Sequence, residues 1–296
     1  VRGVLLVLLM ATAAQLHGQG PVTQTVPAAP DVSLRVFNLA GSITISGWDK
    51  DSVRVTHVVP PAAGRFFLGG AGTSLKLGVE GTDKPDAPGA SLEIHVPRRA
   101  RVWVKSATAR IDVDGVRGEL DLASVSGGIT TRNIAGVITA ESMDGPLTIS
   151  GDLSVLRLKS GDGAITIRGS ASDLTVSTVS GAVSVQTTRE LVSGRIESVT
   201  GRITFAGPVS PAGMLDLQTH AAPIVLALPA SQSATLDVIA FSGKVLNGFA
   251  GARRSATPGE PVRYTLLGGA AHIAVRSLKG GVSIRELQPG VDSNGP

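Results

Sequence analysis

The stretch Ser142–Gly151, SMDGPLTISG, returns 18 residues later as Ser160–Gly169, SGDGAITIRG. Residues aligned with Gly145 and Gly163 recur as Ala109, Gly127, Gly145, Gly163, Gly181, Gly201, Ala222, Gly243 and Gly280, with an isolated earlier copy at Gly41. The first four intervals are 18 residues, the next three are 20, 21 and 21, and the last is 37. One unit of that size cannot bury its own apolar face. A chain so patterned must stack its units on one another.

Each unit holds two alternating runs. Two and four positions after the glycine lie Leu147/Ile149, Ile165/Ile167 and Val183/Val185; seven and five before it lie Leu156/Leu158 and Leu174/Val176. Period-2 alternation predicts strands with one buried face. Three positions before the glycine stand Ser124, Ser142, Ser160, Thr178 and Ser198. With Gly127, Gly145, Gly163, Gly181 and Gly201 these predict a structural corner ladder, in which glycine supplies positive φ and hydroxyls bond from unit to unit. The fold class that follows is all-β: a single-stranded right-handed parallel β-solenoid of about 18–21 residues per coil with an N-terminal β-cap. Only 3% of residues are aromatic and 37 are glycine, which suits a core of aliphatic side chains and many tight turns.

The expected organisation runs in five parts. Residues 1–19 read as a signal peptide, with Arg2 before the apolar run Val4–Ala14, which is too short to span a bilayer. Residues 20–31 are a linker, 32–100 the first coil and β-cap, 101–286 the solenoid repeats, and 287–296 a disordered tail. Pro60–Gly72 reads as a Gly/Pro-rich loop and Gly251–Tyr264 as a loop or hairpin excursion. Cysteine is absent, which excludes disulfides and thiolate metal sites. The 27 basic against 23 acidic residues are too even to imply nucleic acid. No later apolar run is long enough for a transmembrane span.

Three segments and the repeated units between them carry a resemblance to a known family. SLEIHVPRRARVWVKSATARIDVDG is followed by S-x-x-G-x-I-x-I units, then LALPASQSATLDVIAFSGKV, then AAHIAVRSLKGGVSIRE. In that order, from about Val36 to Glu286, the chain resembles the bacterial "putative adhesin" family of β-strand repeats. The resemblance implies a β-solenoid on an exported or envelope-associated protein, and it brings no catalytic residues. Ala109 and Ala222 depart from the usual glycine, and Asn247 puts an amide at an inward position.

Chemistry-bearing residues are sparse. Asp144 and Asp162 fall one unit apart at the same corner position, a candidate surface or cation site, although aspartate is also an ordinary turn residue. Phe66 and Phe67 form a candidate partner-contact loop, or else a plug on the first coil. His57, His95 and His220 lack metal-ligand spacing. Opposite charges such as Arg195 over Asp216 and Glu141 beside Lys159 read as surface pairing. Thr130, Thr148, Thr166 and Thr204 make an outward stripe that β propensity alone explains. No catalytic residue, cofactor-binding residue or metal ligand is assigned, and no cofactor is expected. The expected function is an exported, non-enzymatic, adhesin-like protein in the periplasm or at the cell surface, presenting a surface to an envelope component, glycan or protein. The alternatives are a carbohydrate-active β-helix enzyme, lyase or hydrolase, and a periplasmic stress or signalling accessory.

Overall fold

Short aliphatic runs punctuated by Gly, Pro, Asp and Ser form strands and little else. The computed structural model describes residues 20–81, 88–257 and 260–287, and among them the only helix is a 3-10 turn at Pro61–Ala63. The strands begin with β1 (Val22–Phe37), β2 (Gly41–Trp48), β3 (Ser52–Val58), β4 (Arg65–Glu80), β5 (Ala90–Pro97), β6 (Arg101–Lys105) and β7 (Arg110–Asp114). They continue with β8 (Glu119–Ser124), β9 (Ile129–Ser142), β10 (Leu147–Ser160), β11 (Ile165–Thr178), β12 (Val183–Thr187), β13 (Leu191–Ser198), β14 (Ile203–Ala206) and β15 (Val209–Thr219). The last are β16 (Ile224–Leu228), β17 (Ala234–Ala240), β18 (Val245–Asn247), β19 (Arg253–Ser255), β20 (Val262–Leu266), β21 (Ala271–Ser277) and β22 (Val282–Glu286).

Two walls face each other across the core. The first runs β1, β6, β8, the C-terminal parts of β9, β10 and β11, then β13, β15, β21 and β17. The second runs β5, β2, β7, the N-terminal parts of β9, β10 and β11, then β12, β14, β16, β22 and β18. Neighbours within these runs are parallel. Leu147, Ile165 and Val183 are register partners on one wall and Leu156 and Leu174 on the other, all at most 1% exposed. Fully burying each such side chain contributes about 1.5–3 kcal/mol before chain entropy is subtracted.

The single-stranded parallel β-solenoid with an N-terminal cap is therefore corrected. Strand β3 pairs antiparallel with β1 on one side and with β5 on the other, joining the two walls. It closes a barrel of eight hydrogen-bonded strands, β1–β6–β8–β9–β7–β2–β5–β3 and back to β1, with the remaining strands outside it. Each unit carries two alternating runs, so it supplies both walls rather than a single strand. A further antiparallel set, β17–β20–β19, lies at the other end.

Spatial order also departs from chain order. The C-terminal half of β1 lies between β4 and β6, and β2 lies between β5 and β7. At the far end Leu215 lies beside Ile273, not Leu236, because β21 inserts between β15 and β17. The expected linker is largely strand, since Val22–Pro27 pair with β3. The expected loop from Pro60 becomes the start of β4, where Arg65 reaches Glu80 at 3.5 Å. Gly251–Tyr264 does include a hairpin partner, with β19 antiparallel to β20. The signal-peptide segment 1–19 and residues 288–296 of the expected tail lie outside the described residues.

The corner glycines serve a purpose other than the expected one. Gly41 has φ of 100°, but Gly127, Gly145, Gly163, Gly181 and Gly201 are not in the left-handed region. They are needed for close approach: a Cβ on Gly163 would stand 2.1 Å from the carbonyl oxygen of Gly145. The hydroxyls do bond between units. The Thr178 hydroxyl donates to the Gly161 carbonyl at 3.0 Å and accepts from the Gly181 amide at 3.1 Å.

Candidate functional site

Alternation that buries Leu34, Val36, Val102 and Val104 turns the residues between them outward. On the first wall this places Arg35, Trp103 and Asp121 on one rung, Ser33, Arg101 and Glu119 on the next, and Phe37 beside Lys105. From the other side Lys76 of β4 is the register partner of Arg35. Phe37 and Trp103 meet edge to face, with ring centroids 5.1 Å apart at 67°. The Lys76 ammonium stands 5.0 Å from the Phe37 centroid and 5.5 Å from that of Phe67, and the Lys105 ammonium 4.8 Å from Trp103. A cavity of 430 Å³ lies over Arg35, Phe37, Arg101, Trp103, Glu119 and Asp121. A second of 330 Å³, lined by Phe67, Gly70, Ser74 and Lys76, shares Arg35 with it. Together they form a trough with aromatic and cationic walls.

Asp121 is the perturbed group there. Partial burial raises its pKa above the ordinary carboxylate value, the charges of Glu141 and Glu119 raise it further, and Lys105 opposes them.

Of the residues singled out from the sequence, Phe67 borders this trough and Phe66 does not. Alternation sends them to opposite sides of β4. Phe66 is half-buried against the core and stacks on His57, centroids 3.8 Å apart at 14°. Burial holds the His57 pKa below the usual histidine value. Asp144 and Asp162 lie exposed at the corner, and Asp162 accepts the Ser180 hydroxyl at 2.5 Å. Among the described residues no group of three or more His, Asp or Glu side chains could hold a metal ion. Ser124, Ser142 and Ser160 are buried behind the corner, and the Ser142 hydroxyl accepts the Gly145 amide at 2.9 Å. Arg195 and Asp216 are register partners, but their ion pairs go elsewhere, to Glu197 at 3.4 Å and Arg276 at 2.8 Å. Glu141 and Lys159 do pair, at 3.4 Å.

Beside the corner aspartates Val125, Met143, Val179 and Val199 project into solvent, 47–63% exposed. The line continues past exposed His220 to Phe241 and Leu278, which border a 540 Å³ cavity. Asn247 is half-buried and caps the far end, its side-chain oxygen accepting the Phe249 amide at 3.0 Å.

Sequence reasoning passed over Arg35, Phe37, Arg101 and Trp103. The available signal was phase: in RVF and RVWVK the aromatic residues fall on the outward beat of strands whose valines are buried, in a chain with only 2 tryptophans.

No protein-family model matches the chain, and no curated protein matches it. Solved structures similar to it include a "putative adhesin" from Bacteroides fragilis, 12% identical over 91% of this chain and 98% of that one, with a TM-score of 0.43. A "putative lipid binding protein" from Parabacteroides distasonis is 12% identical over 92% and 98%, TM-score 0.44. A "putative cell adhesion protein" from Clostridium sporogenes is 11% identical over 90% and 100%, TM-score 0.22. Likenesses this loose carry no argument about activity or ligand. Among the described residues no helix is long and apolar enough to cross a membrane.

Proposed function

We propose that this chain is a non-enzymatic, adhesin-like binding protein, exported to the periplasm or cell surface, which holds an envelope glycan in the trough of Phe37 and Trp103. The supporting observation is the trough itself: two aromatic side chains turned outward between strands whose other aromatic neighbours are few, with four cations and two carboxylates around them. Aromatic edges and planar charged groups converging on an open groove suit a sugar polymer that lies along it. The test is tryptophan fluorescence during titration with cell-wall and extracellular polysaccharides, comparing the wild-type chain with Trp103→Ala and Trp48→Phe. A saturable change that survives Trp48→Phe and disappears in Trp103→Ala, at unchanged Tm, is expected. Equal binding by Trp103→Ala, followed by calorimetry, would remove the trough from the function.

A second reading has one observation behind it. Glu119 and Asp121 point to the same side of β8, about 7 Å apart along the strand, and the Asp121 pKa is raised. A pair of carboxylates, one of them with a raised pKa to serve as the acid, is what glycoside hydrolysis uses. Release of reducing ends from any polysaccharide, lost in Asp121→Asn, would replace the binding reading with this one.

A further inference from the structure

We infer that the trough takes an acidic polysaccharide, its carboxylate or sulfate groups pairing with Arg35, Arg101, Lys76 and Lys105; this rests on the reading that the trough is the binding site. Charge is the first reason. Arg35, Arg101 and Lys76 line the two cavities and Lys105 stands over Trp103 beside them, against the carboxylates of Glu119 and Asp121. Among the described residues none of the four cations is in a salt bridge. Some arginines elsewhere on the surface are held by carboxylates, as in Arg98–Asp49 at 2.8 Å, Arg110–Asp112 at 2.7 Å and Arg263–Asp237 at 2.7 Å, while others such as Arg157 and Arg168 enter no salt bridge among the described residues. What sets the trough apart is that its cations converge on two adjoining cavities. Arginine guanidinium groups without an internal partner keep their planar donors available for a carboxylate or sulfate.

The rings supply the second reason. Lys76 stands over Phe37 and Lys105 over Trp103, so an approaching ligand meets ammonium groups before it meets ring faces. A neutral sugar would have to displace those contacts to stack, whereas an acidic one pairs with the ammonium groups as it arrives. Extent is the third. The two cavities share Arg35 and run in one direction across β4, β1, β6 and β8, which provides for several consecutive sugar units rather than a single anion. A nucleic acid fits less well, because single strands bind by stacking bases on open aromatic faces, and these are covered.

Calorimetry of the full chain at low and at physiological salt tests this, with polygalacturonate, a sulfated glycan, neutral dextran, single-stranded DNA and vesicles of anionic phospholipid as probes. Binding of polygalacturonate or the sulfated glycan is expected at least tenfold tighter than dextran, weakening with salt. Arg35→Gln with Arg101→Gln, both exposed positions, should reduce it at least tenfold without lowering Tm. Dextran bound as tightly as polygalacturonate would overturn the acidic class while leaving the trough as a glycan site. DNA or vesicles bound as tightly as the acidic glycans would overturn it in favour of general anion binding. Failure of every probe would overturn both this inference and the reading beneath it.

Discussion

The rungs at β1, β6 and β8 and the rungs at β9, β10 and β11 share a backbone plan and differ in what they show to solvent. In both, alternate residues are buried and register runs parallel. Outside, the middle rungs on the first wall present Thr139, Arg157 and Thr175, with Lys159 tied to Glu141. The corresponding positions nearer the N-terminal end carry Trp103 and Asp121, flanked by cations that enter no salt bridge among the described residues. Inward positions are constrained by volume, outward ones by little, so a binding surface can be written on one end of the sheet without altering its frame.

The sharpest way to break that comparison is in the middle. Gly163→Val places a Cβ against the Gly145 carbonyl oxygen, where backbone must shift, and should cost more than about 4 kcal/mol in thermal or urea unfolding. Phe205→Ala empties the largest fully buried side chain and should cost about 3–5 kcal/mol, leaving polysaccharide affinity at the trough unchanged after correction for folded fraction. A shared loss of affinity would mean that the two regions are coupled.

Thr131→Val has the opposite sign. Its hydroxyl is fully buried without a hydrogen-bond partner, between Val113 and Ile149 in register, and replacing it should raise stability by about 1 kcal/mol. The smallest effect belongs to the N-terminal end. Burial lowers the folded-state pKa of His57, so its contribution is complete above the unfolded value of about 6.5 and is lost as pH falls below it. Hydrogen exchange at pH 7 and pH 5 should show β3 and β4 loosening in acid, and His57→Gln should abolish the difference. An unchanged difference in that variant would assign the effect to other groups.

Much of this was legible in the sequence, for identifiable reasons. The 18-residue interval is the register from Ile129 through Leu147 and Ile165 to Val183, because every unit there has the same length: between β9 and β10 the residue gained after Thr131 is offset by the one gained after Leu153. The buried phase of each strand followed from alternation alone. The barrel closure by β3 was not legible, since SVRVTHV carries the same alternation whether it runs parallel or antiparallel. Nor was the insertion of β21 between β15 and β17, because any coil's Ile-x-Val fits any other's. The trough was missed because its members lie on four strands, β4, β1, β6 and β8, which follow one another in space but not in sequence.

By itself the sequence determined local matters: which segments extend, which face of each is apolar, where the chain turns, and the absence of cysteine chemistry. These depend on neighbours a few residues away, where sterics and alternation act. Tertiary structure alone decided the pairing order at both ends, the ring closed by β3, and the meeting of Phe37, Trp103, Arg35 and Arg101 in one trough. Those depend on which equally suitable partner each edge accepts, a choice made by the whole core when it packs.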